Sequence, residues 1–187
     1  MSIVFRDFLL YAYFVIAIVS AAGGSKIGFS AVFVLFILLC AYFPLLKRAE
    51  RRSRDMGLSV VILLWVPKFF AELMLFSAGE RIRGRWKKAY EIHLNPAVVK
   101  TFETKEILQM LERDLLLIYQ KMQGDLLLWR TSFPVPARIR AMIRGNGNAF
   151  WKKGDWFIPP FPLTSRDIDR KGARIGAFLI EHKNVLL

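Results

Sequence analysis

A chain of 187 residues, 55% apolar and with 28 Lys and Arg against 15 Asp and Glu, is long enough for one ordinary core. Its single Cys excludes an internal disulfide and argues against a zinc or redox centre. The averages conceal two chemistries in series: from Phe8 to Leu46 the one charged side chain is Lys26, whereas from Glu80 onward 20 Lys and Arg stand against 11 Asp and Glu.

The first predicted elements are two apolar helices, "FLLYAYFVIAIVSAAGG" from Phe8 to Gly24 and "IGFSAVFVLFILLCAYFPLL" from Ile27 to Leu46. Crossing a bilayer takes about 20 residues at about 1.5 Å each, so the second run fits well and the first is short. A secretory signal is the alternative for the first, although Asp7 directly after Arg6 and the apolar run that would remain speak against it. Joined by "GGSK", the two runs predict a transmembrane hairpin, with Tyr11, Tyr13 and Tyr42 near its ends and Cys40 as a buried small hydrophobe. Lys47, Arg48, Arg51, Arg52 and Arg54 follow, and the positive-inside bias places them and the amino terminus in the cytoplasm.

The next run, residues 57–78, has only ten apolar residues before Pro67, then Lys68 and Glu72 four apart in its middle. Arg81, Arg83, Arg85, Lys87 and Lys88 come after it, a cluster as basic as the one before, and one crossing cannot leave both clusters on the same side. The preferred expectation is an amphipathic or re-entrant segment along an inner leaflet; a third span and a buried core helix are the alternatives.

Residues 89–187 read as a mainly helical module facing the cytoplasm. Its clearest helix lies in "TFETKEILQMLERDLLLIYQKMQGD", where Ile107, Leu111, Leu115, Ile118 and Met122 recur at helical steps, Glu103 and Glu106 stand early, and Gly124 stops it. That stripe suits internal packing better than a coiled coil, since it spans barely two heptads. "DLLLWRTSF" fits either a short strand or a helical extension, "ARIRAMIRG" a second helix, "GNGNAFWKKGDWFIPPFP" a loop, and "SRDIDRKGARIGAFLIEHK" a last helix with acids early and His182 and Lys183 late. Gly172 and Gly176 in that helix offer a weak close-approach pattern.

The expected fold class is therefore an α-helical integral membrane protein, divided into residues 1–55 (hairpin and basic flank), 56–88 (interfacial or third segment) and 89–187 (module). No phosphate loop, dinucleotide fingerprint or nucleophile elbow is present, so no cofactor, metal or catalytic residue is assigned. His93, Asp155 and Asp167 are the residues an enzyme would use, and "DID" at Asp167 and Asp169 is explained by the dipole of a helix start. Trp151, Lys152, Lys153 and Trp156 interleave rings and cations, a composition that suits a membrane interface, a protein partner or stacked bases. Together with Arg48, Arg51, Arg52, Arg81, Arg83, Arg85, Lys87 and Lys88 they form the expected contact surface. The functional expectation is a non-enzymatic inner-membrane protein that meets anionic headgroups and docks on a membrane-protein partner or a second copy of itself. In that reading it is an accessory subunit or regulator of a secretion, conjugation or exclusion assembly. A membrane-bound enzyme for lipid headgroups and a membrane tether for nucleic acid are the alternatives.

Overall fold

The structure, a computed structural model, describes residues 3–23, 26–131, 137–144, 148–154, 156 and 174–180. Three helices come first: α1 (Ile3–Gly23), α2 (Lys26–Cys40) and α3 (Tyr42–Asp55). They are followed by β1 (Val61–Val66), α4 (Lys68–Ser77), β2 (Ala89–Leu94), α5 (Pro96–Thr101), α6 (Thr104–Lys121), β3 (Leu126–Thr131), α7 (Ala137–Arg144), β4 (Ala149–Lys153) and β5 (Arg174–Leu179). The strands form one mixed sheet in the order β1-β2-β3-β5-β4, in which only β2 and β3 run parallel.

The fold is thus α/β and not the expected α-helical integral membrane architecture. Among the described residues no helix is long and apolar enough to cross a membrane. The run from Ile27 to Leu46 is divided: α2 has 15 residues, a rise of about 22 Å against about 30 Å of hydrocarbon. Pro44 lies one turn beyond Cys40 and has no N–H to donate to that residue's carbonyl, so the regular ladder breaks there and α3 begins. α1 and α2 pack on each other and leave Phe14, Ile18, Phe33 and Phe36 exposed; Cys40, expected to be buried, is exposed as well.

The expected inner-leaflet segment is a strand and a helix of the α/β core. Val61 to Val66 is rich in β-branched and large apolar residues and is buried at every position except Trp65, because β1 is covered on both faces. Pro67, in an extended conformation, ends the strand and opens α4. Lys68 and Glu72 are both exposed; Lys68 lies 5.9 Å from the centre of the Trp86 ring, so the pair is not a buried intramembrane couple. With these corrections the basis for a bilayer partner, an inner-membrane location, a membrane-assembly subunit, a lipid-headgroup enzyme and a membrane tether for nucleic acid is lost.

Two apolar layers sandwich the sheet. On one face Leu63, Leu127, Trp129 and Phe178 meet Ile107, Leu111 and Ile118 of α6 and Ile139 and Ile143 of α7. On the other, Ala89, Leu126, Leu128, Ala177 and Leu179 meet Phe70, Ala71, Met74 and Leu75 of α4. The parallel pair β2 and β3 is connected through α5 and α6, since parallel strands need a long crossover. α6 forms where the sequence predicts it: Glu103 and Glu106 make a reciprocal capping box, and Ile107, Leu111 and Ile118 are buried at helical steps.

Asp114 interrupts that apolar stripe, and its place in the fold explains why. Its carboxylate accepts the amides of Ser59 at 2.8 and 3.0 Å, Val60 at 2.7 Å and Val61 at 2.9 Å, and the residue is fully buried. Ser53 of α3 does a related task two residues on, its Oγ accepting Leu63 N–H at 3.0 Å. Between them the acid and the hydroxyl satisfy outward amides of the edge strand β1, which otherwise invites pairing with another chain. Gly57, at φ 85°, turns the chain out of α3 so that residues 59–61 can wrap the carboxylate.

The carboxyl-terminal half differs most from the helical expectation. Residues 174–179, assigned to a last helix, are the strand β5, and Gly176 lies beneath the indole of Trp129. Part of the expected loop, Ala149 to Lys153, is the edge strand β4. The segments with Asp155, Asp167, Asp169, Gly172, His182 and Lys183 lie outside the described residues.

Candidate anion-binding surface

Two basic segments about thirty residues apart in sequence are both exposed on the folded chain. α3 packs Ala49 against Ile62 and Leu64 of β1, which leaves Lys47, Arg48, Arg51, Arg52 and Arg54 exposed. The second segment, residues 80–88, is anchored by Ile82 and Trp86, both packed against the α4 layer, while Arg81, Arg83, Arg85, Lys87 and Lys88 point outward between and beside these anchors. Gly124 and Asp125 tether its end: Lys87 N–H donates to the Gly124 carbonyl at 2.8 Å and Lys88 N–H to Asp125 Oδ1 at 3.2 Å.

Burial raises the Tyr90 phenol above its usual value, Asp125 raises it further, and Arg52 opposes both. Burial likewise raises the Asp125 carboxyl, against the Lys88 amide and the charges of Lys88 and Lys87. The charge of Arg52 thus bears on Tyr90, and those of Lys88 and Lys87 on Asp125.

The raised Asp125 carboxyl has a consequence for stability. The folded chain holds this proton more tightly than the unfolded chain, so the associated stability is complete below the usual carboxylate value and is lost as pH rises through the raised one. Asp125→Asn keeps an acceptor for Lys88 N–H and removes the titration. Between about pH 4 and pH 7 the variant should gain stability relative to the parent, read as urea midpoints at several pH values; parallel curves would refute this.

The cluster around residues 149–156 does not form one face. Strand alternation places Phe150 and Lys152 on the α4 side and Trp151 on the other. Trp156 is a core residue, 1% exposed and edge-on to Phe150 at 6.0 Å. Lys152 donates to the Ala78 carbonyl and pairs with Glu80 at 3.0 Å, so it clamps β4 to the end of α4. Trp151 is half-buried against Trp129, with the Arg174 guanidinium over its ring at 5.8 Å; Lys153 is exposed. The rings are thus held by the protein's own packing.

A second polar group was not legible as a site in sequence. Glu91 and His93 alternate onto the α4 face of β2, and Glu91 is fully buried. His93 Nε2 lies 2.9 Å from Glu91 Oε1, within ion-pair distance although not aligned as a hydrogen bond. Period-2 spacing in "EIHL" was the available signal, but it reads as a pair only once β2 is known to be a strand. Among the described residues no group of three or more His, Cys, Asp or Glu is placed to hold a metal ion.

No protein-family model matches the chain, and neither a curated protein nor a solved structure is similar to it. The fold is a mixed-sheet α/β chain with two exposed basic segments.

Proposed function

We propose that this chain is a binding protein whose basic face, formed by Arg48, Arg51 and Arg52 of α3 and by Arg81, Arg83, Arg85, Lys87 and Lys88, takes up an acidic segment of another protein. The observation that supports this is that all eight cations are exposed on backbone held by the core, α3 through Ala49 and residues 80–88 through Ile82 and Trp86. Exposed cations held on anchored backbone supply long-range attraction and a fixed pattern of charges, which favours fast and selective encounter with an acidic partner. Glu50, Asp55 and Asp125 stand among them. A uniformly charged phosphate backbone would be repelled by these acids, whereas a polypeptide can answer both signs. The Trp residues near 150 are engaged in packing and do not offer the stacking that single-stranded nucleic acid uses.

The triple variant Arg81→Glu, Arg83→Glu, Arg85→Glu tests the reading with a poly-glutamate peptide as probe. Affinity should fall about tenfold or more and should weaken with added salt in the parent, while the unfolding midpoint stays unchanged because these side chains are exposed. Equal binding by the variant, or tighter salt-sensitive binding of duplex DNA than of the peptide, would overturn it.

A further inference from the structure

On the reading that the basic segments take up an acidic stretch of another protein, we propose that this stretch is an amphipathic helix. Its apolar side chains seat on Leu73 and Phe76 of α4, and its acids meet Arg81, Arg83 and Arg85. α4 is apolar on two opposite faces. Phe70, Ala71, Met74 and Leu75 are buried against the sheet, yet on the outer face Phe76 is 79% exposed and Leu73 39%. Phe69, edge-on to Phe70 at 6.2 Å, extends the same stripe and is 64% exposed. The three positions follow at steps of four and then three, the spacing at which one helix face meets another.

A cationic row runs beside this stripe. Gly79, at φ 68°, turns the chain out of α4, and Glu80 N–H donates to the Leu75 carbonyl at 3.0 Å. From there the chain doubles back along the helix, since Lys68 at the start of α4 lies 5.9 Å from the centre of the Trp86 ring. On this return Ile82 and Trp86 pack on the α4 layer, and a Cβ at Gly84 would lie 3.0 Å from Leu179 Cδ2. The even positions thus face the core, and Arg81, Arg83 and Arg85 are exposed between them, the alternation of extended chain. Around α4, at about 100° per residue, Lys68 marks the side of Trp86; Glu72 comes next, then Phe76, Phe69 and Leu73. The apolar stripe and the three arginines therefore run side by side along α4. An acidic amphipathic helix complements both: the stripe takes its apolar face and excludes water, and the arginines select its charge and speed the encounter. A purely acidic coil would meet the arginines and leave Leu73 and Phe76 in water. Glu72, between stripe and row, repels an acid placed directly over it, which keeps the partner's acids on the arginine side.

The test measures binding to the full chain by fluorescence anisotropy with three labelled probes. They are poly-glutamate, a peptide of about 14 residues with Leu at helical steps and Glu elsewhere, and a scrambled peptide of that same composition. The patterned peptide should bind the parent at least tenfold more tightly than its scramble. Leu73→Ser with Phe76→Ser should abolish that preference and leave the poly-glutamate affinity within about twofold, at an unchanged unfolding midpoint, because both side chains lie on the outer face. Arg81→Glu, Arg83→Glu, Arg85→Glu should weaken all three probes. If poly-glutamate binds but the two peptides bind the parent equally, or the preference survives in the Ser variant, the amphipathic helix is wrong and the acidic-partner reading stands. No binding of poly-glutamate by the parent would strike that reading and this one together. A parent chain that sediments as a dimer, and as a monomer after Leu73→Ser and Phe76→Ser, would give the stripe to a second copy of the chain and overturn the proposal.

Discussion

Replacing Asp114 by Ala is expected to lower the unfolding free energy by about 3 to 5 kcal/mol, with the loss read from urea denaturation at constant slope. The carboxylate serves three consecutive amides, those of Ser59, Val60 and Val61, and two of those bonds are fully buried. Each hydrogen bond to a charged group contributes about 1.5 to 3 kcal/mol, and each buried donor left without its acceptor adds about 1 to 3, so partial relaxation of residues 59–61 still leaves a large loss. Asp114→Asn keeps one acceptor oxygen and should cost less than Ala. A second effect follows from the edge position of β1: releasing the Val61 amide reopens the strand edge, so the Ala variant should also aggregate sooner at a given protein concentration. An Ala variant within about 1 kcal/mol of the parent would show that the amide cradle contributes little to holding α6 against the start of β1.

Gly176→Ala should destabilise by about 1 to 3 kcal/mol, the range for overpacking, although it adds a single methyl group. A Cβ at this position would lie 2.2 Å from Trp129 Cζ2 and 2.7 Å from the Phe150 carbonyl oxygen, both far inside contact distance. The indole cannot swing away freely, because it is also edge-on to Trp151 at 6.4 Å, and the carbonyl belongs to the neighbouring strand β4. Trimming the ring should make room: in Trp129→Leu the added methyl should cost much less than in the parent, a coupling that a double-mutant cycle measures. Additive losses would show that the methyl clashes with the β4 backbone alone.

The two cases show what kind of information a linear reading lacks. Asp114 falls inside an apolar stripe, and its role depends on amides 53 to 55 residues away. Gly176, spaced four from Gly172, resembles a helix-contact pattern until the pairing of β5 with β3 sets it opposite Trp129. The pair Glu91 and His93 is ordinary at two residues apart in a helix or loop and becomes a shared-face pair only in a strand. Trp151 and Trp156 read as one aromatic surface, yet one is half-buried on the sheet and the other is core. The apolar run from Val61 to Val66 was the most misleading, since a strand buried on both faces and a short membrane segment have the same uninterrupted hydrophobicity.

By itself the sequence determined the features that depend on near neighbours. The length and ends of α6, the short helix over residues 137–144 and the breaking effect of Pro67 follow from helical periodicity, capping and missing amides, all acting within a few residues. It also determined the basic character of residues 47–54 and 81–88, because charged side chains surrounded by polar ones stay exposed in almost any fold. Only the tertiary structure decided that the apolar run of β1 belongs to a sheet, that β2 and β3 lie parallel around a helical crossover, and that Glu91 and His93 lie side by side on one face. Strand pairing joins residues far apart in the chain and assigns alternate side chains to opposite faces, so one register settles at once which groups share a site.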